Sequence, residues 1–238
     1  MIAGNVARAL DDIAASERDL RNAYAPGAIP EHGDVARASH STYTVDPLSV
    51  AAPESAYFAL RDRSGHMLFT RDGSFQVRDG RLMDAHGDDV LGYAGDGAAL
   101  APIRIDPIDA AFGAAGDARI ETDGSLSGVR WTVDPRTGQR RSQLLQFGRI
   151  ALARFPAGTR LQPAGAQHLS APAGIPPHFG KPGDGNFGAL KTHARETSGV
   201  DIDASIERLQ EAYVALDAIR AAAKSHGTLQ KVAMDLLK

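Results

Sequence analysis

The stretch "FTRDGSFQVRDGRLMDAHGDDVLGY", residues 69–93, decides how the rest of the chain is read. It contains Asp-Gly twice, at Asp72-Gly73 and Asp79-Gly80. That dipeptide favours tight hairpins, because a type I′ turn needs positive φ at both central residues, which Gly takes freely and Asp tolerates. Gly73 and Gly80 are therefore both expected at positive φ. Between the turns Phe75 and Val77 alternate with Ser74 and Gln76. A period of two bounded by turns predicts a half-buried strand. Gly87 and Gly92 bracket "DDVLG", a further short strand. The segment reads as an antiparallel meander.

Working outward, turn signals recur at Ser64-Gly65, His86-Gly87, Asp96-Gly97, Asp123-Gly124, Thr137-Gly138 and Ala157-Gly158. Between them lie the strand-like runs "PIRIDP" (102–107), "ARIET" (118–122), "RWTVD" (130–134), "LLQFGRIALARF" (144–155) and "TRLQP" (159–163). The chain is expected to be strand and turn from Ala56 to about Leu169. "AGIPPHFGKPGDGNFG" (173–188) reads as a Pro/Gly loop, and the polar residues 34–55 hold one expected strand around Tyr43 to Val45.

The two ends have a different period. Ile2, Val6, Leu10, Ile13, Leu20 and Tyr24 are spaced mainly by 4 and 3, with Glu17 interrupting. That spacing predicts a helix with a heptad-like apolar stripe. "APGAIPEHG" (25–33) ends it, since Pro and Gly continue a helix only at a cost. From Ile202 the pattern returns in Ile206, Leu209, Tyr213, Leu216 and Ala223, with Ile219 beside them. Gly227 is expected to break this helix, and Leu229, Val232 and Leu236 carry an apolar stripe to the end.

The expected fold is a mainly β body of antiparallel hairpins and meanders, with N- and C-terminal α-helices paired as a coiled-coil-like domain. The expected divisions are a terminal helical domain (1–30 and 197–238), a connecting segment (31–55), a β-rich body (56–172) and a Pro/Gly-rich return segment (173–196). Two helices bury only part of their apolar surface in each other. The remainder faces either the β body of the same chain or other subunits. On the second alternative Val6, Leu10, Ile13, Leu20, Ile202, Ile206, Leu209, Tyr213 and Leu216 form a subunit interface.

Composition narrows the function. At 238 residues the chain can bury a proper core, as one domain or two. A net charge of −3 with no basic stripe gives no reason to expect nucleic acid. The cluster "RTGQRR" (Arg136 to Arg141) reads as a solvated hairpin tip. Cysteine is absent, which removes disulfides and Cys-ligated metals. "MIAGNVARALDDIAAS" lacks the basic and continuous apolar regions of a cleavable secretory signal. No run of about 18 apolar residues suggests membrane insertion.

Three apparent enzyme motifs fail on context. "GSLSG" (124–128) fits the nucleophile-elbow pattern around Ser127, but strand-like "VRWTV" follows where the elbow needs a helix. "GDGNFG" (183–188) fits G-x-G-x-x-G, yet follows a Pro-rich loop rather than a strand. The histidines at 32, 40, 66, 86, 168, 178, 193 and 226 form no i, i+3 or i+4 pair and adjoin no zinc-type carboxylate set. They read as lone surface imidazoles. No enzyme activity, cofactor or metal is expected.

Five blocks in order carry a resemblance: "YFALRD" (57–62), the opening stretch, "RIETDGSLS" (119–127), "GRIALARF" (148–155) and "GALKTHARETSGVDI" (188–202). Together they resemble the flagellar basal-body rod and hook family, above all its rod proteins of the FlgF/FlgG type. The positions that carry the likeness include Asp72, Gly73, Phe75, Gly80, Gly92, Gly124, Glu196, Ser198, Val200 and Asp201. The resemblance covers about residues 56–216 and implies a non-enzymatic axial subunit. Its terminal helices would line the inside of a helical tube that transmits torque to the hook, with the β body outside. It further implies self-association, contact with other axial rod and hook proteins, and contact with the flagellar export apparatus and surrounding ring proteins. Location would be the basal body, periplasmic or extracytoplasmic, after export without a cleavable signal. The termini diverge: "RNAYAPGA" matches the family's segment after the first helix only at Asn22, Ala23, Pro26 and Gly27, and Gly199 stands where the family has Asn. The alternatives are a non-polymerising paralogue and a β-rich binding module or adhesin.

Overall fold

The computed structural model describes residues 2–31, 40–53, 55–95, 97, 99–105, 118–134, 136–165, 167–185 and 187–235, with Ile2, Arg130, Thr132 and 227–235 described as backbone. The expected turn residue Asp96, the end of "PIRIDP" at 106–107, His32 and Leu236 lie outside the described residues, as do the Ile2, Leu229 and Val232 side chains. The chain divides into a helical unit (1–24, 29–38, 199–238) and a β unit (25–28, 39–198).

In the β unit the strand Tyr57–Arg61 is the hub. Along one edge it pairs antiparallel with Met67–Thr70, Phe58 opposite Thr70 and Arg61 opposite Met67. Its other edge is shared: Leu60 meets Val90 of Asp89–Tyr93, while Phe58 meets Leu152 of Leu152–Arg154. Strand residues alternate between faces. Phe58, Leu60, Val90 and Leu152 enter one core with Val50, Phe75, Leu82, Ile103, Leu126 and Ile150. Ala59, Leu91 and Ala153 enter a second core with Phe69, against which Tyr57, Phe155 and Leu169 pack. The hub is thus apolar on both faces, which is why "YFAL" shows no alternation.

From Gln76 the opening stretch is the expected meander, but Met67–Thr70 does not pair with Gln76–Arg78, and the two Asp-Gly turns differ. Asp79 and Gly80 have φ of 49° and 69° and close the hairpin in which Arg78 faces Arg81. Gly73 is not among the residues at positive φ. Glycine is required there by a close approach: an added Cβ would collide with the Val50 carbonyl oxygen, and the Val50 amide donates to the Gly73 carbonyl at 3.1 Å. A contact 23 residues away in sequence, not a local turn, sets the residue type.

The expected connecting and return segments hold strands of this unit. Ser41–Tyr43 pairs with Ala194–Glu196, and Val50–Ala51 with Lys191–Thr192. Tyr43 ends its strand rather than starting one toward Val45. The expected Pro/Gly loop contains the strand His178–Gly180, which pairs with Leu152–Arg154. Backbone pairing there overrides the turn-rich composition. The longest hairpin joins Ser125–Val133 to Arg140–Ile150, and the Arg136–Arg141 cluster sits exposed at its tip.

In the helical unit, α1 spans Ile2–Arg21 and α2 spans Ile202–Asp235. Asp201 caps α2: its Oδ1 accepts the Ala204 amide at 3.2 Å, and its carbonyl accepts from the Ser205 amide and hydroxyl. Ala9, Ile13, Ala212 and Leu216 are buried together, with Val6, Leu209 and Ile219 packed against them. Gly227 does not break α2, contrary to expectation. One interior glycine costs about 1 kcal/mol, and the strong helix formers Ala221 to Lys224 before it and Leu229 to Lys231 after it offset that. No described helix is long and apolar enough to cross a membrane.

Candidate functional site

The terminal stripes divide into an inner and an outer row. Ile13 and Leu216 are buried between α1 and α2, and Val6 and Leu209 flank them. Leu20 and Ile202 are half-buried. Leu10, Ile206 and Tyr213 stay exposed, at 49%, 40% and 47%.

These exposed residues share one side of the helix pair. Ile206 and Tyr213 are seven residues apart, about 20° short of two full turns at 100° per residue. Leu10 and Glu17 have the same spacing on α1. The Tyr213 hydroxyl donates to Glu17 Oε1 at 3.4 Å, which joins the two flanks. Leu10, Ile206 and Tyr213 thus lie exposed, with Glu17 on the same flank, beside a seam that is already packed. Sequence periodicity showed the stripe but not its division, because spacing alone does not say which partner covers which flank.

Other motif positions serve the β unit. Phe75 is buried edge-to-face against Phe58, ring centroids 5.0 Å apart. Gly92 lets the strand pass within reach of the Arg149 carbonyl, and Gly124 packs on Pro182. Asp72 Oδ1 accepts the Ser74 amide at 2.9 Å. Glu196 is buried against Arg71. Ser198 closes the β unit, while Val200 is buried in the helical unit. Ser127 lies buried inside the strand Ser125–Val133 and forms no elbow.

Sequence reading missed one polar cluster. His168 is buried, not a surface imidazole. Its backbone is held by the Ala164 amide donating to the His168 carbonyl and the His168 amide donating to the Gly165 carbonyl, with Gln167 at φ 68°. His168 Nε2 lies 2.7 Å from Asp84 Oδ2, and its Nδ1 lies 3.4 Å from Asp88 Oδ2. His86 Nδ1 is 3.3 Å from the same Asp84 oxygen. Asp84 Oδ1 accepts the amides of His86 and Asp88, which shapes the "DAHGD" turn. Burial pushes the Asp84 carboxyl up, but hydrogen bonds from His168 and the Asp88 amide outweigh it and leave the pKa below the usual range. Asp88 is raised, by burial first and then by the charge of Asp84. The visible signal was acid-x-His-x-acid at 84–88, and the missing piece was His168, 80 residues downstream.

Residues 54–128 match the family model described as the flagellar hook protein FlgE/F/G D1 domain. The matched segment holds the hub strand, the meander and the start of the long hairpin. Over that segment, less than half of the chain, the protein is similar to the flagellar hook and rod proteins, which supports a flagellar axial, structural role. No curated protein matches the chain.

Proposed function

We propose that this chain is a structural axial subunit of the bacterial flagellar basal-body rod, assembling with copies of itself and other axial proteins into a helical tube that passes torque to the hook. The observation that carries this reading is the exposed row Leu10, Ile206 and Tyr213 on helices whose inner row is already satisfied. An apolar row left open after intrachain packing is a surface for another subunit, and a heterologous contact that does not close generates a filament. The match over 54–128 supplies the flagellar context.

In this reading the helical unit makes the subunit contacts and the β unit forms the outer body. The chain would leave the cytoplasm through the flagellar export apparatus and work in the periplasmic part of the basal body, inside the surrounding rings. Mass spectrometry of purified hook–basal bodies tests it. The chain is expected in the rod-containing fraction, retained after the filament is removed. Its absence from preparations that contain the other rod proteins would reject the rod assignment.

A further inference from the structure

We propose that Asp84, His86 and His168 form a binding site for one divalent transition-metal ion of the zinc type, with Asp88 as the positioning residue behind His168. The proposal is independent of the flagellar reading, since it rests on side-chain geometry within the β unit.

Asp84, His86 and His168 converge, each offering one ligand atom, and these atoms all lie within 4.8 Å of one another. Asp84 Oδ2 is 2.7 Å from the His168 nitrogen and 3.3 Å from the His86 nitrogen. Tetrahedral zinc with bonds of about 2.0–2.1 Å places its ligand atoms about 3.3 Å apart. The three atoms therefore need only modest side-chain adjustment to share an ion. Two imidazoles and one carboxylate suit zinc and its first-row neighbours, and leave a coordination position for water.

A second observation points the same way. His168 has a carboxylate at each nitrogen, Asp84 at Nε2 and Asp88 at Nδ1. A histidine ligand usually donates its other N–H to a carboxylate, which sets the tautomer and leaves the ligating nitrogen's lone pair free. Asp88 at 3.4 Å from Nδ1 stands in that place. Asp84 is held in turn by the amides of His86 and Asp88 on its other oxygen, so its Oδ2 stays aimed at the imidazoles.

The arrangement has a route in and a consequence. The His168 and Asp84 side chains are 5% and 7% exposed, whereas His86 is 38% exposed, so an ion reaches the cluster from the His86 side. Binding would tie the "DAHGD" turn at 84–88 to His168, which lies 80 residues beyond Asp88 in sequence. Linking the two restricts the unfolded chain more than the folded one, so the metal should stabilise the β unit.

The experiment uses the full chain, freed of metal by chelation, with Co2+ and Zn2+ as probes. Titration with Co2+ should give visible ligand-field bands that saturate at one equivalent, and Zn2+ should displace them. One equivalent of Zn2+ should also raise the thermal midpoint. His86→Ala removes an exposed side chain and should keep the fold while abolishing the bands and the Zn2+ stabilisation. Asp88→Asn should retain the bands but weaken Zn2+ binding about 10–100-fold. His178→Ala, on a separate strand, should change none of these. A wild-type chain without one-equivalent binding overturns the site, and so does binding that survives His86→Ala. Unchanged affinity in Asp88→Asn overturns the role given to that residue.

Discussion

Arg71 and Glu196 form a buried ion pair across 125 residues of sequence, with Arg71 Nη2 2.7 Å from Glu196 Oε2 and the Arg71 Nε 2.9 Å from the same oxygen. The two side chains are 10% and 8% exposed. Arg71 Nη1 also donates to the carbonyls of Pro53 and Ala56, at 2.9 and 2.6 Å, and its guanidinium lies 5.8 Å from the Tyr57 ring centre. Gly27 donates its amide to the Glu196 carbonyl and packs on the Arg71 backbone, leaving no room for a Cβ. One guanidinium thus gathers the opening meander, the hub strand and the segment that returns from the long hairpin.

Removing one member of such a pair leaves the other charge buried and unmatched, which costs about 3–5 kcal/mol. We expect Glu196→Gln to lower the β unit's stability by that order, and Arg71→Met by at least as much, since Pro53 and Ala56 lose their donor too. The double change Arg71→Met with Glu196→Leu should cost less than the sum of the single ones. Urea unfolding of the three variants measures this. Strict additivity would show that the pair is not coupled.

Gly73 and Gly80 should respond to alanine in different degrees. At Gly80 the cost is the positive φ, roughly 1–2 kcal/mol for a residue with a Cβ. At Gly73 the new carbon would collide with the Val50 backbone, so Gly73→Ala should cost about 3 kcal/mol, at the upper end of overpacking penalties. Chemical denaturation of both variants reads the order directly. A larger loss at Gly80 would contradict the close approach to Val50.

Asp123 should mark the acid side of the stability curve. Burial raises its pKa, but the Ser125 amide and hydroxyl and the Arg149 guanidinium bind the carboxylate and bring it below 3.8. A folded pKa below the unfolded one gives stability that is complete above the unfolded value and is lost as pH falls through the folded one. Asp123→Asn should therefore melt lower than wild type at neutral pH, with the gap closing only below about pH 3.8. The side chain is 45% exposed, so the gap is small. A gap that stays constant down to pH 2.5 would mean that ionisation of Asp123 plays no part.

What was legible in the sequence was local. Asp79-Gly80 announced its turn because the dihedral requirement lies within two residues. The helical stripes announced themselves because a period of 3 and 4 needs no partner to be seen. Gly73, His168 and Glu196 were opaque for a shared reason. Each takes its role from a residue far along the chain, in turn Val50, Asp84 and Arg71, and no spacing rule reaches that far. Gly227 misled in the opposite way: a local signal was outweighed by the helix formers on either side.

The inner helical row should be a matter of stability alone. Leu216→Ala removes a buried side chain from the contact between α1 and α2 and should cost about 2–5 kcal/mol in the helical unit. Loss of helical circular dichroism at lower temperature, with the β signal unchanged, would show it. An unaltered helical transition would contradict the packing of that seam.

The outer row tests assembly. Ile206 and Tyr213 are exposed in the single chain, so Ile206→Asp with Tyr213→Asp should leave its thermal unfolding nearly unchanged. Between subunits each apolar side chain is worth on the order of 1.5–3 kcal/mol, and two buried carboxylates would cost more. The deciding measurement is the amount of this chain in hook–basal bodies purified from cells whose only copy carries the double substitution. The expected result is a folded variant that is exported yet absent from those structures, in cells that do not swim. A folded variant found there at the wild-type level, in swimming cells, would contradict it.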